Sequence, residues 1–128
     1  MPAERDLERM LSTLDVARRP GTFTYVTGAW PALAAVAAAT VAEDEGPTYV
    51  VAVDDAERVG APVEFRGAWL TLTVWSSLDA VGLTAAVAHV LAEVGIPCNV
   101  IAGFHHDHLL VPEDRVDDAL GALRTLRS

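Results

Sequence analysis

Residues 95–112, with the sequence GIPCNVIAGFHHDHLLVP, decide how the rest of the chain is interpreted. Residues 99–102 are mostly apolar and β-branched, and residues 109–111 are apolar and followed by a proline, so both segments predict short strands. Gly103 and the polar run at residues 105–108 lie between them and have the composition of a hairpin turn. The stretch therefore predicts a β-hairpin.

The segments on either side extend this hairpin into a larger unit. Residues 69–75 alternate between apolar and polar side chains, which predicts a strand. Residues 78–94 show a helical period that opens with a variant capping box at Ser76 and Asp79, and residues 113–126 predict a second helix. The order strand, helix, strand, strand, helix is most of a ferredoxin-like unit whose last strand is missing. We expect the missing place to be filled by another strand of the chain, at residues 22–27, or by a strand of a second copy.

The first half of the chain carries a looser version of the same pattern. Its predicted elements are a helix over residues 2–14, a strand over 22–27 after a Pro20-Gly21 turn, a helical turn over 32–36, strands over 37–42 and 48–53, and a helix over 54–59. Gly60-Ala61-Pro62 is the best candidate for a linker. The sequence thus predicts an α+β fold of two ferredoxin-like halves, residues 1–62 and 63–128, with antiparallel sheets and helices packed on one face.

Composition narrows the classes of function. The chain of 128 residues is 52% hydrophobic, which provides a core, and its formal net charge of −9 disfavours nucleic acid and anionic membranes as partners. No apolar run reaches the roughly 18 residues that a membrane span needs. The single cysteine, Cys98, excludes an internal disulfide framework, and the charged N-terminus lacks an apolar signal core. We therefore expect a cytoplasmic protein.

Two motifs carry a resemblance to a known family. The segment SSLDAVG at residues 76–82 and the segment GIPCNV at residues 95–100 together resemble the ACT domain, a family that includes aspartate-kinase regulatory domains. The match is specific over residues 69–112, whereas the N-terminal half matches loosely, as in small bacterial proteins built from two tandem ACT-like halves. Trp75 and His105 depart from the family pattern, which leads us to expect histidine and tyrosine there.

The resemblance implies a regulatory protein without catalytic residues, cofactor or resident metal, which binds an amino-acid-like ligand at an interface between ACT units. It also implies a homo-oligomer, and the high apolar content favours a homodimer or larger assembly. Free amides at a helix N-terminus would suit a ligand carboxylate, and an asparagine can meet both an ammonium and a carboxylate. The ligand-binding residues that it implies are Ser76, Ser77, Leu78, Val81, Gly82, Asn99, Val100 and Ile101.

Two alternatives stay open at this point. The chain could be a structural or protein-interaction module with a vestigial pocket, which a bulky Trp75 in the ligand corner would favour. It could also bind a metal through the hairpin run His105, His106, Asp107 and His108, because imidazoles and a carboxylate are zinc ligands. The interpretation of that run that needs no metal is a polar turn.

Overall fold

The structure, a computed structural model, describes residues 4–75 and 78–127. Its elements in chain order are α1 (Leu7–Ser12), β1 (Val16–Thr27), α2 (Pro31–Ala34), β2 (Ala39–Glu43), β3 (Gly46–Ala52), α3 (Val53–Arg58), β4 (Gly67–Leu72), α4 (Leu83–Glu93), β5 (Asn99–Ala102), β6 (Asp107–Pro112), a 3₁₀ turn (Glu113–Arg115) and α5 (Val116–Arg124). The strands form a six-stranded antiparallel sheet. The chain divides into two compact units, unit A (residues 4–19 and 68–127) and unit B (residues 20–67).

Unit A has the strand order of a ferredoxin-like unit. Its order is β1, β4, β6, β5, and the part of β1 that belongs to unit A is residues 16–19. The backbone N–H of Thr73 donates to the carbonyl of Asp15 at 3.0 Å, which holds the start of β1 beside the end of β4. The missing fourth place is therefore filled by β1, a strand of the first half; the predicted residues 22–27 are part of this strand but pair with β3 over 23–27, and the residues of β1 that belong to unit A are 16–19.

The core of unit A lies on one face of its strands. Alternate residues of β4 point to this face because side chains along a strand alternate. Helices α1, α4 and α5 cover it with apolar side chains at helical spacing, as the sequence predicts. The buried residues that form it include Met10, Leu70, Leu72, Leu83, Val87, Leu91, Leu109, Val111, Val116, Ala119 and Leu123. Full burial of one such side chain contributes about 1.5–3 kcal/mol, so this face determines where every helix of the unit lies.

Helix α4 begins later than the sequence predicts. It starts at Leu83 rather than at residue 78, with Gly82 as its N-cap at φ 104°, a backbone conformation that favours glycine. The predicted capping box is therefore wrong as a helix start; Asp79 lies before the helix and pairs with the Arg5 guanidinium. Ser76 and Ser77 lie outside the described residues. The C-terminal signal is confirmed, because Gly95 follows the helix with φ 71°.

Unit B is a three-stranded sheet in the order β2, β3, β1, with α2 and α3 on one face. The β2–β3 hairpin is confirmed, with Glu43 opposite Gly46 at its turn. The predicted turn at Pro20-Gly21 is wrong, because both residues lie within β1, where Gly21 takes φ 96°. Apolar side chains of both strands and helices form the core, which comprises Val26, Leu33, Tyr49, Val51, Ala56 and Ala61.

The predicted halves at residues 1–62 and 63–128 follow sequence order, whereas the compact units do not. Residues 4–19 belong to the same unit as residues 68–127, and the boundary falls inside β1. The halves stay a prediction about how the sequence repeats, and the units describe which residues pack together.

Candidate functional site

Three of the predicted ligand-binding residues lie together at the start of α4. Leu78, Val81 and Gly82 line an open cleft of about 330 Å³ in unit A. The apolar side chains at its mouth are unusually exposed, with Leu78 at 68% and Val81 at 82%. The other lining residues are Ala80, Leu83, Thr84, Ala102 and Asp107. Exposed apolar side chains grouped around a cleft are typical of a binding surface.

The N-terminus of α4 provides hydrogen-bond donors to this cleft. Gly82 has no side chain to cap the helix, and its carbonyl accepts from the amide of Ala86 at 2.9 Å. The amides of the first turn, from Leu83 to Ala85, have no acceptor within the helix. The aligned peptide dipoles of the 11-residue helix add partial positive charge at this end, so the cleft suits an anionic group such as a carboxylate.

The lining of the cleft also includes an aspartate, Asp107, that the predicted set lacked. Ala102, at the end of β5, is paired in register with Asp107, at the start of β6. The sequence pattern places Asp107 in the hairpin turn, so it is not among the predicted ligand-binding residues. The signal that could have found it is the hairpin register, because a strand ending at Ala102 places Asp107 opposite that residue. The Asp107 carboxylate can accept from a ligand ammonium, and the amides at the start of α4 can donate to a ligand carboxylate.

The remaining described residues of the predicted set lie on β5 and do not line this cleft. Asn99 and Val100 are exposed, and Ile101 is half-buried. Asn99 is opposite Leu110 in the register. It lies three residues from Ala102 along β5, so the two residues are about 10 Å apart. Successive side chains of a strand point to opposite faces, so Asn99 and Ile101 share a face that Ala102 does not. The structure therefore separates Asn99 and Ile101 from the residues at α4, whereas Val100 lies on the same face of β5 as Ala102.

Trp75, which could have filled the ligand corner, lies elsewhere. Its ring is 5.3 Å from the ring of His105, centroid to centroid, and the two are tilted by 45°. It lines a different open cleft with Glu4 and Arg9. The two departures from the family pattern thus contact each other, and the cleft at α4 is left open.

The His108 ring is hydrogen-bonded through one nitrogen to side chains of β4. The indole N–H of Trp69 donates to its Nδ1 at 3.3 Å, and the Thr71 hydroxyl lies 2.9 Å from the same atom. Burial, the nearby His106 and the Arg19 guanidinium lower the pKa of His108, and Asp107 opposes this shift. Within residues 4–75 and 78–127, no group of three or more His, Cys, Asp or Glu side chains is placed to hold a metal ion.

Cys98 behaves as a small half-buried hydrophobe. It packs against the core of unit A, and burial raises the pKa of its thiol. A raised pKa leaves little thiolate near neutral pH, so this side chain is a poor nucleophile. Across the described part of the chain, none of the helices combines the length and apolarity that crossing a bilayer requires.

Comparisons with known proteins agree with this architecture. Residues 64–125 match one sequence model of the ACT domain, and residues 2–67 match another. A search of curated proteins found no match.

Solved structures give the same result. A Vibrio cholerae protein of unknown function, described as a possible transport protein, is 38% identical with TM-score 0.84, covering 95% of this chain and 96% of its own. The regulatory subunit of Thermus flavus aspartate kinase is 12% identical with TM-score 0.60, covering 88% and 97%. Clostridium acetobutylicum aspartate kinase, described as an allosteric enzyme, is 7% identical with TM-score 0.65, covering 90% of this chain and 34% of the enzyme. The last two likenesses concern the fold alone, but the sequence matches extend over both halves, and the chain belongs to the ACT-domain family.

Proposed function

We propose that this protein is a non-enzymatic regulatory module that binds a small amino-acid-like ligand at the α4 cleft of unit A. One observation carries the proposal: the donor-rich N-terminus of α4 and the Asp107 carboxylate line the same open cleft. An α-amino acid has the complementary charges, a carboxylate for the amides and an ammonium for Asp107. The apolar lining from Leu78, Val81 and Ala102 favours a ligand with a small apolar portion.

The predicted residues at β5 belong to the proposal as the edge of the site. Among the described strands of unit A, β5 is the end of the sheet, bonded to β6 on one side. A second copy of the chain that covered this edge would bring further groups near Asn99, Val100 and Ile101. The proposed ligand site is therefore completed by a homodimer, in keeping with the interface that the family resemblance implies. A reducing cytoplasm is the proposed compartment.

The first experiment is a thermal-shift screen of the twenty amino acids against the full chain. A ligand present at about 100 times its Kd raises the free energy of unfolding by about 2.7 kcal/mol. We expect one or a few amino acids to raise the Tm and to bind in calorimetry. A chain whose Tm none of the twenty amino acids changes would count against the ligand and would favour the protein-interaction alternative.

Paired variants then locate the site. Asp107→Asn removes the proposed partner of the ammonium, and we expect it to weaken binding by about 1–3 kcal/mol. Asp117→Asn, at an exposed position of α5, makes the same chemical change away from the cleft and should leave affinity unchanged. Equal losses of ligand affinity in both variants would contradict the placement of the ligand in the α4 cleft.

Asn99→Ala tests the edge separately from the cleft. A ligand that spans to β5 should lose about 1–3 kcal/mol of binding free energy when the amide is removed. Unchanged affinity in Asn99→Ala together with a loss in Asp107→Asn would restrict the site to the cleft and exclude Asn99. Substitution of Gly82 is a poor probe of the site, because its positive φ makes any side chain there strain the backbone.

A further inference from the structure

Unit B carries an open sheet face that the proposed ligand site does not use. In the register of the three strands, Thr48 is opposite Thr27 of β1 and opposite Val41 of β2. Residues directly opposite each other on neighbouring strands point to the same face, so these three form one row across the sheet. This row lies in a shallow groove of about 470 Å³ whose lining also includes Tyr25, Val26, Glu43 and Glu64.

The groove combines apolar, aromatic and acidic groups without a basic one among its lining residues. Val41 is 52% exposed, which is unusual for a valine in a strand, and β2 is the end strand of unit B. The Tyr25 ring packs edge-to-face against Phe65, with centroids 5.9 Å apart, so one wall is aromatic. Glu43 and Glu64 are both exposed, and Glu43 accepts a hydrogen bond from the Thr48 hydroxyl.

Charge decides which partner fits this groove. Unit B contains seven acidic residues and two arginines, so its field repels anions and attracts cations. A guanidinium or ammonium group can pair with a carboxylate and also lie over an aromatic ring. An end strand offers unpaired backbone groups to an extended peptide, whose alternate side chains would then point to one face.

We propose that this face, defined as Tyr25, Thr27, Val41, Glu43, Thr48 and Glu64, docks a basic, extended segment of a partner protein. Arginine or lysine side chains of the segment contact Glu43 and Glu64, and its apolar side chains cover Val41. The surface shares no residue with the α4 cleft, so it does not depend on the amino-acid ligand. Such a contact would connect a ligand-binding module with the protein that it regulates.

The test uses the full chain and a fluorescein-labelled peptide in which every second residue is in turn arginine or valine, with serine between them, so that arginine and valine share one face of the extended peptide. A matched peptide has glutamine in place of arginine. We expect the arginine peptide to raise the fluorescence anisotropy on binding and the glutamine peptide to bind at least about tenfold more weakly. Affinity for the arginine peptide should fall between about 50 mM and about 200 mM salt. Equal affinity for the two peptides, or no binding of either, would overturn the proposal.

Variants distinguish this groove from the general acidity of the chain. The double variant Glu43→Gln with Glu64→Gln should lower affinity about tenfold, whereas Glu45→Gln with Glu57→Gln removes the same charge outside the groove and should change it less than about twofold. Equal losses of peptide affinity in the two double variants would overturn the assignment of the docking site to the groove. Glu64→Gln alone provides a check that avoids the Thr48 contact of Glu43. Free arginine that competes as well as the peptide would identify a small-molecule site and overturn the docking of a segment.

Discussion

The indole N–H of Trp69 donates a hydrogen bond to Nδ1 of His108 at 3.3 Å, across the strands β4 and β6. A tryptophan N–H can only donate, so this nitrogen of His108 is the acceptor and the imidazole is neutral with its proton on Nε2. The Arg19 guanidinium lies over the Trp69 ring, 5.0 Å from its centroid, and adds positive charge nearby. Protonation of His108 at Nδ1 therefore breaks the hydrogen bond from Trp69.

The free energy of unfolding is expected to fall when the pH falls below about 6.5. The folded protein lowers the pKa of His108, chiefly through burial and then through His106 and Arg19, while Asp107 raises it. In the window between the folded and unfolded pKa values the unfolded chain binds more protons. Stability is thus fully present above the unfolded pKa and is lost as pH falls through the folded one.

Denaturation of His108→Gln at about pH 7.5 and at about pH 5.5 checks this expectation, because these two values bracket the ordinary histidine pKa. The variant should lose less stability over this range than the unsubstituted chain. His89→Gln, at an exposed position on α4, is the comparison variant: it removes a histidine whose Nε2 lies 2.7 Å from Oε1 of Glu93, and so shows what loss of an exposed histidine does over the same pH range. A His108→Gln variant with the same pH dependence as the unsubstituted chain would show that other groups cause the loss.

A buried hydroxyl gives the second prediction. Thr24 is fully buried, its Oγ1 has no hydrogen-bond partner among the described residues, and it is opposite Val51 in the register. An unpaired buried hydroxyl costs about 1–3 kcal/mol. Thr24→Val keeps the shape and removes the hydroxyl, so we expect the free energy of unfolding to rise by about 1 kcal/mol.

Urea denaturation measures this change as a higher midpoint with an unchanged slope. Thr40→Val, at an exposed position of β2, makes the same substitution in water and should change the free energy of unfolding by less than about 0.5 kcal/mol. Destabilisation by Thr24→Val would show that its hydroxyl has a partner in solution.

The sequence predicts those elements whose local pattern agrees with their packing. The hairpin at residues 99–112 and helix α5 follow from alternation and from helical spacing, and the positive φ of Gly95 follows from its place after α4. The start of β1 was missed because residues 16–21, VARRPG, lack strand-like alternation and include the Pro20-Gly21 turn signal, and residues 17–21 are exposed. They form a strand because β4 supplies backbone partners, as between Thr73 and Asp15.

The start of α4 was misplaced for a different reason. Leu78 and Val81 fit a helical period, but both are exposed, and a period of apolar residues does not reveal whether anything covers them. The same limit applies to the candidate site. Asp107 enters the cleft through the β5–β6 register, which depends on where the hairpin turns, and residue types alone do not specify that.

Two glycines give the third prediction. Gly82 has φ 104°, and an added Cβ would lie 2.9 Å from Leu7 Cδ2. Gly82→Ala should therefore lower the free energy of unfolding by about 1–3 kcal/mol, mainly through backbone strain. Gly121, inside α5, would place a Cβ in open space, and Gly121→Ala should raise the free energy of unfolding by about 0.5–1 kcal/mol. Thermal unfolding of the two variants should give shifts of opposite sign, and a stabilising Gly82→Ala would contradict the positive φ.

The last prediction concerns assembly. Strand β5 ends the sheet of unit A, and its residues Asn99–Ala102 carry no charge, whereas the whole chain has a net charge of −9. Natural edge strands that stay unpaired usually carry charges, prolines or bulges. An uncharged edge on a strongly acidic chain is where two copies can approach with the least repulsion. We therefore expect a homodimer at micromolar concentration and physiological salt, and we expect Val100→Glu to shift it towards monomer.

Val36→Glu adds the same charge at a valine of unit B that is 51% exposed, and it should leave the dimer intact. Size-exclusion chromatography with light scattering distinguishes the outcomes: a monomeric unsubstituted chain contradicts the dimer, and a dimer unaffected by Val100→Glu contradicts the β5 edge.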